Sequence, residues 1–291
     1  MTSLSDNSEQ LSQKATADTE LAELGDLSGT RRGAQYVAAG QAIGTYLDGV
    51  DTIWKNAANP AAVRMVEIMK GEARVGKPLS TTLESADLVP LLDENRIPQA
   101  LHHIFLDHEE LTARLGALAP LRLPVRGDVA ERLPRVLTTM TADGVHWLQN
   151  WTPNGHESGT LLVRELRKLG VNLPGATSMN VSGRPEIADQ REALAFSREH
   201  GIPLLLCELQ PTPDAEGSFP IIGVGPEGVV LLREGHFPGE LFRDLLNYDV
   251  DLTQAKPAKY PISPAVRERF VSHQFSAHDL RSALLEMIHH S

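Results

Sequence analysis

Apolar residues recur at helical spacing between Asn59-Pro60 and Gly71, where Val63, Val66 and Met69 fall on one face. Asparagine is a favoured helix N-cap, proline fits the first helical position, and glycine commonly follows the last turn. The pattern therefore predicts a helix whose last residue directly precedes the glycine.

The rest of the central sequence interleaves helical and extended patterns in the same way. Helices are predicted for residues 109–115, 156–169 and 187–200. Strands are predicted for residues 101–106, 120–125, 203–209, 220–224 and 229–233, whereas residues 35–43 fit either type. Helices that alternate with apolar strands are typical of an α/β or mixed α+β domain.

The two ends of the chain differ in character from its centre. Residues 1–28 are rich in Ser, Thr, Gln, Asp and Glu, so they are predicted to form a flexible tail with one transient helix at 19–24. Three prolines interrupt the sequence after Asn247, and a final amphipathic helix is predicted beyond them. The predicted division is a tail (1–28), one domain (29–246), and a linker with a C-terminal helix (247–291).

Composition narrows the classes of partner. The chain has 291 residues, a formal net charge of -11 and only 5% aromatic residues, which argues against DNA and disfavours RNA as the main partner. Cys207 is the single cysteine, so an intrachain disulfide is impossible and a reducing compartment is expected. No apolar run approaches the ~20 residues of a membrane span. The N-terminus also lacks a signal-peptide pattern, so we expect a cytoplasmic protein without a membrane partner.

A cationic segment follows the predicted helix at Asn59-Pro60. Lys70, Arg74 and Lys77 lie within eight residues, and Pro78-Leu79-Ser80 follows. Lysine and arginine side chains on a loop can neutralise phosphate groups by charge-assisted hydrogen bonds. The alternative is a solvated basic turn, because cations are favoured at helix C-termini in any case.

A second motif, Ser178-Met179-Asn180-Val181-Ser182-Gly183, is a run of small polar side chains. Alternate residues of an extended segment point to the same side, so Ser178 and Asn180 can contact one ligand, such as a phosphate or a ribose. A polar loop containing an Asx-turn is the alternative interpretation.

Taken in this order, the two motifs resemble the YrdC/YciO family. Asp51-Thr52-Ile53-Trp54 corresponds to the family's Thr-Asp-Thr-Val-Tyr-like segment, and the second motif corresponds to its Ser-Ala-Asn-x-Ser-Gly element. Ser218 and the segment 229–235 resemble the closing part of the family pattern. The similarity covers roughly residues 35–245.

This resemblance implies a twisted mixed sheet with flanking helices around a basic cleft. It also implies use of ATP with Mg²⁺ to form threonylcarbamoyl-adenylate or a related acyl-adenylate, a nucleotidyltransferase reaction that releases pyrophosphate and serves tRNA modification. A small-molecule acyl substrate is therefore expected beside the nucleotide. The residues carried over are catalytic Thr52, Lys70 and Arg74, nucleotide-binding Lys77, Ser178, Asn180, Ser182, Ser218 and Arg233, and His156 on the acyl-substrate side.

The sequence also departs from the family pattern. Val50 replaces a threonine, Glu72 stands where an arginine is expected, and Trp151-Thr152-Pro153 lacks the arginine of an Arg-x-Pro segment. These differences leave open a non-catalytic nucleotide- or RNA-binding module of the same fold. The histidines around His103 and His108 lack the spacing of a metal site, so no protein-held metal is expected.

Overall fold

The computed structural model describes residues 18–47, 50–71, 77–207, 219–235 and 238–257, which form a twelve-stranded mixed sheet. The strands are β1 (Glu20–Glu23), β2 (Ile43–Leu47), β3 (Val50–Asn56), β4 (Ser80–Thr81), β5 (Pro120–Val125), β6 (Thr138–Met140), β7 (His146–Trp151), β8 (Pro174–Ser178), β9 (Leu204–Cys207), β10 (Ile221–Gly225), β11 (Gly228–Arg233) and β12 (Val250–Asp251). Their order is β1-β9-β2-β3-β8-β4-β7-β5-β10-β11-β12, and β6 pairs with β7.

Helices cover this sheet. They are α1 (Leu27–Ala38), α2 (Pro60–Lys70), α3 (Ser85–Leu88), α4 (His102–Phe105), α5 (His108–Leu115), α6 (Gly127–Ala130), α7 (Glu157–Lys168), α8 (Gln190–Glu199) and α9 (Leu241–Leu246). Short 3₁₀ turns occupy Val89–Leu91, Glu94–Arg96, Gln99–Leu101 and Arg135–Leu137. The mixed α/β class predicted from the sequence is confirmed.

The predicted helix α2 is confirmed together with its capping. Asn59 Oδ1 accepts hydrogen bonds from the amides of Ala61 and Ala62, and Pro60 takes the first helical position. The apolar face that was predicted from periodicity packs inward: Val66 and Met69 join a buried cluster with Ile53 of β3 and Phe196 of α8. This packing fixes the orientation of α2 and therefore the position of its last residue, Lys70.

Strand alternation directs the two faces of β9 to different helices. Leu204 and Leu206 pack with Ala34 of α1 in one cluster, whereas Leu205 and Cys207 pack toward Phe196 of α8 in another. This half of the sheet is therefore covered on both faces, which accounts for the continuous apolar run that predicted a buried strand. Burial also raises the pKa of the Cys207 thiol.

Two sequence predictions are wrong. Residues 101–106 form a 3₁₀ turn and helix α4 instead of a strand, because Leu101, Ile104 and Phe105 recur at helical spacing and are all buried. Residues 19–24 contain strand β1 instead of a transient helix, and β1 pairs in parallel with β9.

The described sheet extends beyond the predicted domain at both ends. Strand β1 lies within the segment assigned to the tail, and β12 pairs in parallel with β11 after residue 246. The ambiguous segment 35–43 contains the end of α1 and the start of β2. The predicted C-terminal helix falls outside the described residues and stays a prediction.

A two-residue strand joins the two halves of the sheet. Strand β4 pairs antiparallel with β8 and parallel with β7, and its only partner on β7 is Asn150. The fully buried Asn150 side chain adds four hydrogen bonds to this narrow joint. Its Oδ1 accepts from Leu83 N at 2.7 Å and Thr81 Oγ1 at 2.8 Å, and its Nδ2 donates to Leu83 O and Thr152 Oγ1, each at 3.1 Å.

We predict that Asn150→Ala lowers the free energy of unfolding by about 3 kcal/mol, because it leaves the buried amide and carbonyl of Leu83 without these partners. Urea denaturation followed by circular dichroism measures the change. The exposed Asn172→Ala serves as the matched control and is expected to be near neutral. Equal stability of the two variants would contradict the importance of the joint.

Candidate functional site

A pocket of about 360 Å³ lies at the joint made by β4, with Ser80 of that strand in its lining. Its wall is built from successive strands, because residues from β2, β3, β8, β4, β7, β5, β10 and β11 all contribute side chains. The contributions of β3 and β7 alternate along each strand, Val50 with Thr52 and Gln149 with Trp151, whereas β8 contributes the consecutive residues Ala176, Thr177 and Ser178. The pocket therefore spans both halves of the sheet.

The described wall of the pocket is positively charged. It contains three cations, Lys70, Lys77 and Arg233, and one carboxylate, Glu186, so its formal charge is +2. The chain as a whole carries -11. A local concentration of positive charge in an acidic protein attracts an anionic ligand to this concave surface.

Lys70 is held at the junction of α2 and the segment that follows β8. Only 3% of the residue is exposed, and its Nζ donates to Ser178 O at 2.5 Å and to Asn180 Oδ1 at 2.7 Å. The Lys70 carbonyl in turn accepts a hydrogen bond from the Ser182 amide at 2.8 Å. The cationic helix end and the small-residue motif thus form one connected unit.

Both polar atoms of the Asn180 side chain form hydrogen bonds that orient neighbouring groups. Its Oδ1 also accepts from Ser178 Oγ at 2.8 Å, and its Nδ2 donates to Arg184 O at 2.7 Å. The positive φ of 92° at Gly183 lets the chain turn within this span, a conformation that other residues adopt at a cost. These bonds favour a positioning role for Asn180 over direct contact with a ligand.

The Thr52 hydroxyl is engaged inside the protein. Its proton is donated to Thr45 O at 3.1 Å, while the oxygen accepts from Trp54 Nε1 at 3.0 Å and lies 2.8 Å from Thr45 Oγ1. A hydroxyl has one proton and two acceptor positions, so with its proton on Thr45 O the Thr52 oxygen accepts from Trp54 Nε1 and from Thr45 Oγ1 as donor, which uses its full capacity. The network supports a structural role for Thr52, and its predicted catalytic role stays a prediction.

Arg233 of β11 and Glu186 of the segment that follows β8 form an ion pair in the pocket. Arg233 Nη1 is 3.9 Å from Glu186 Oε1, and Nη2 donates to Phe219 O at 2.6 Å. Burial lowers the pKa of the Arg233 guanidinium, and the Glu186 carboxylate opposes that shift. The arginine is thus fixed in place within the pocket.

His156 caps a helix. Its Nδ1 accepts a hydrogen bond from Gly159 N at 2.9 Å at the start of α7, and its ring packs edge-on against Trp151 with centroids 5.8 Å apart. The described residues that line the pocket include Trp151 but not His156. Its predicted place on the acyl-substrate side stays a prediction, and the observed contacts give it a structural task.

The structure brings most of the predicted site residues together. Those that line the pocket are Thr52, Lys70, Lys77, Ser178, Asn180, Ser182 and Arg233. Arg74 and Ser218 lie outside the described residues. The roles assigned to all of them stay predictions.

Beyond the predicted site residues, four further polar residues line the pocket: Ser80, Gln149, Thr177 and Glu186. Ser80 closes the cationic segment, Thr177 directly precedes the second motif and Glu186 follows it by three residues, so an extension of the second motif would have included Thr177 and Glu186. Gln149 lies on β7, a strand whose mixture of polar and aromatic residues concealed it. Among the described residues, no group of three or more histidine, cysteine or acidic side chains has an arrangement that could hold a metal ion. Within the same ranges, no helix combines the length and apolarity needed to cross a bilayer.

No protein-family model matches the sequence, and no curated protein matches it either. Solved structures do resemble it. A doubly substituted Sua5 from P. abyssi shows 22% identity and a TM-score of 0.60, with 86% of this chain and 73% of that chain covered. The same protein complexed with L-threonine shows 20% identity and a TM-score of 0.58, covering 91% and 86%.

YciO from E. coli shows 12% identity and a TM-score of 0.55, with 75% of this chain and 96% of that chain covered. The chain therefore has the mixed α/β fold of Sua5 and YciO. The resemblance to the YrdC/YciO family that the motifs indicated is confirmed at the level of the fold.

We predict that Thr52→Val lowers the free energy of unfolding by about 1–3 kcal/mol, because the isosteric change leaves Trp54 Nε1 and the Thr45 groups without their shared partner. Thr52→Ser keeps the hydroxyl and is expected to recover most of the loss. Urea denaturation compares the variants. Wild-type stability of Thr52→Val would contradict the structural role.

Proposed function

We propose that this pocket binds the phosphates of ATP and that the protein forms an acyl-adenylate with release of pyrophosphate. The observation that carries the proposal is the positive wall, in which Lys70 and Lys77 line the same pocket as Ser178 and Ser182 in an otherwise acidic chain. Cations held by a rigid framework can neutralise a triphosphate without reorganising at the moment of reaction.

In the proposed reaction, an oxygen of a carboxylate or carbamate attacks the α-phosphorus. A new O–P bond forms, the bond from the α-phosphorus to the pyrophosphate oxygen breaks, and pyrophosphate leaves with its electron pair. The attacking group is already an anion, so no protein base is required. The task of the chain is to position both substrates and offset the charge of the phosphates, and the clamped Lys70 ammonium supports this task.

The donor set of the pocket is compatible with Mg²⁺ held mainly by the nucleotide. Mg²⁺ in such sites commonly binds phosphate oxygens, waters and one or two carboxylates, and Glu186 is the carboxylate that the described wall offers. When bound, the ion would supply additional neutralisation of the phosphate charge.

The fold adds support for a small-molecule substrate beside the nucleotide. The Sua5 structure complexed with L-threonine shows that this fold accommodates an amino acid. By analogy, we propose threonylcarbamoyl-adenylate or a related acyl-adenylate as the product class, in the context of tRNA modification.

A non-catalytic nucleotide-binding module is the second candidate. Two residues that line the pocket differ from the family pattern. Trp151 replaces the arginine of its Arg-x-Pro segment, and Val50 replaces a threonine. Retention of the phosphate-binding wall with loss of groups on the acyl side would leave binding without turnover.

We predict that Lys77→Ala weakens ATP binding about 3- to 10-fold, because it removes one exposed cation from the pocket wall. Lys168→Ala is the matched control: Lys168 is also exposed, and it pairs with Glu165 away from the pocket. Isothermal titration calorimetry with Mg²⁺-ATP measures both. Equal affinities of the two variants, or the absence of ATP binding to the wild type, would contradict the proposed site.

Pyrophosphate release separates the two candidate functions. Wild-type protein is incubated with Mg²⁺-ATP, bicarbonate and a panel of amino acids. Release that depends on an amino acid supports the enzyme. ATP binding without release from any member of the panel supports the binding module.

A further inference from the structure

Apolar side chains form one part of the pocket surface, which we call its floor. Five of the residues that line it, Leu47, Val50, Trp151, Ala176 and Phe219, belong to a single buried hydrophobic cluster. We refer to these five residues as the apolar floor. The pocket thus combines a cationic wall with a base that is continuous with the hydrophobic core.

Two polar groups next to the floor, the Thr52 hydroxyl and the Trp151 indole N–H, are engaged within the protein. The Thr52 hydroxyl donates its proton to Thr45 O. Its oxygen accepts from Trp54 Nε1 and lies in hydrogen-bond contact with Thr45 Oγ1. Trp151 directs its Nε1 away, to Ala117 O at 3.1 Å. A substrate hydroxyl placed against the floor would therefore lose its hydrogen bonds to water and gain none from these two residues, which is unfavourable.

The geometry of the aromatic rings argues against a nucleobase in this position. Trp151 and Phe219 pack directly on each other, with centroids 5.9 Å apart and planes tilted by 51°. A flat base stacks best on a parallel face or between two separated rings, and this pair is closed. The remaining floor residues, Leu47, Val50 and Ala176, present small aliphatic groups that fit a branched hydrocarbon.

From these contacts we infer that the apolar floor binds the side chain of an aliphatic amino acid or acyl group, with a preference for a branched hydrocarbon over a hydroxyl-bearing one. The inference rests on the proposed function, because it assigns the acyl substrate class of the same pocket, and it selects a related acyl-adenylate over threonylcarbamoyl-adenylate as the product. Val50 is the residue at which the preference can be tested, because it lines the pocket with a β-branched hydrocarbon and threonine is its isosteric alcohol.

The test uses L-valine and L-threonine, which differ by a methyl group in place of a hydroxyl. Calorimetry first measures binding of a non-hydrolysable ATP analogue with Mg²⁺ to the full chain, and then binding of each amino acid to the nucleotide-saturated protein. We expect L-valine to bind about 10-fold or more tightly than L-threonine. In Val50→Thr this ratio is expected to fall at least about 3-fold.

Val171→Thr is the control for the effect of a hydroxyl in the same hydrophobic cluster. Val171 is buried there but does not line the pocket, so its substitution is expected to lower stability and leave the valine-to-threonine ratio unchanged. Thermal unfolding of all variants checks that each is folded before titration.

The outcomes separate the inference from the proposed function. If the analogue binds but L-threonine binds as tightly as L-valine, or neither amino acid binds, the inference is overturned while nucleotide binding stands. If Val50→Thr weakens the analogue and leaves the amino-acid ratio unchanged, the floor holds the nucleotide and the inference is again overturned. If the analogue does not bind, the proposed function fails, and a preference for valine measured without nucleotide would still support the floor assignment.

Discussion

The continuity of the sheet depends on the pairing around β4, which has only two residues. On one side of it lie β8, β3, β2, β9 and β1, and on the other lie β7, β5, β10, β11 and β12. So short a strand provides few backbone hydrogen bonds, and the buried Asn150 side chain reinforces it from β7. Because the pocket draws its wall from both halves, the relative position of Lys70 and Arg233 depends on this joint.

In the site, some polar residues orient their neighbours, and other residues supply the positive charge. Asn180 and Thr52, which look like ligand-binding residues in the sequence, direct their polar groups to other parts of the protein. The cations are thereby held within a preformed surface. A preformed arrangement reduces the entropy lost when a ligand binds, which increases affinity without additional contacts.

Local motifs predicted much of the site because they contain both the ligand-binding side chains and the turn-forming residues within a few positions. Lys70 follows from a helix with a clear start and stop, and the motif from Ser178 to Gly183 follows from its small polar residues. Other parts depend on tertiary packing. The sequence predicts a strand at residues 101–106 because a short apolar run fits both types, and the burial of Ile104 and Phe105 among distant residues decides for the helix.

The sequence does not predict strand β7, because its pattern of residues lacks the apolar alternation of a strand. Its sequence, His146–Trp151, contains polar residues where an amphipathic strand pattern would be apolar. Asn150 is buried because it hydrogen-bonds β4, and Gln149 is polar because it faces the pocket. Both reasons refer to residues far away in the chain, so neither can be found from local periodicity.

The parallel pairing of β1 with β9 constrains the order in which the sheet is assembled. Glu20 aligns with Leu204 and Glu23 with Cys207, and β9 also lies between β1 and β2. As the ribosome makes the chain from its N-terminus, β1 emerges early but has no partner strand until residues 204–207 have been synthesised. Domains with such distant pairings fold slowly, and unpaired strand edges promote aggregation. Glu20 and Glu23 give β1 two negative charges, and charged side chains on an open strand oppose pairing with other chains.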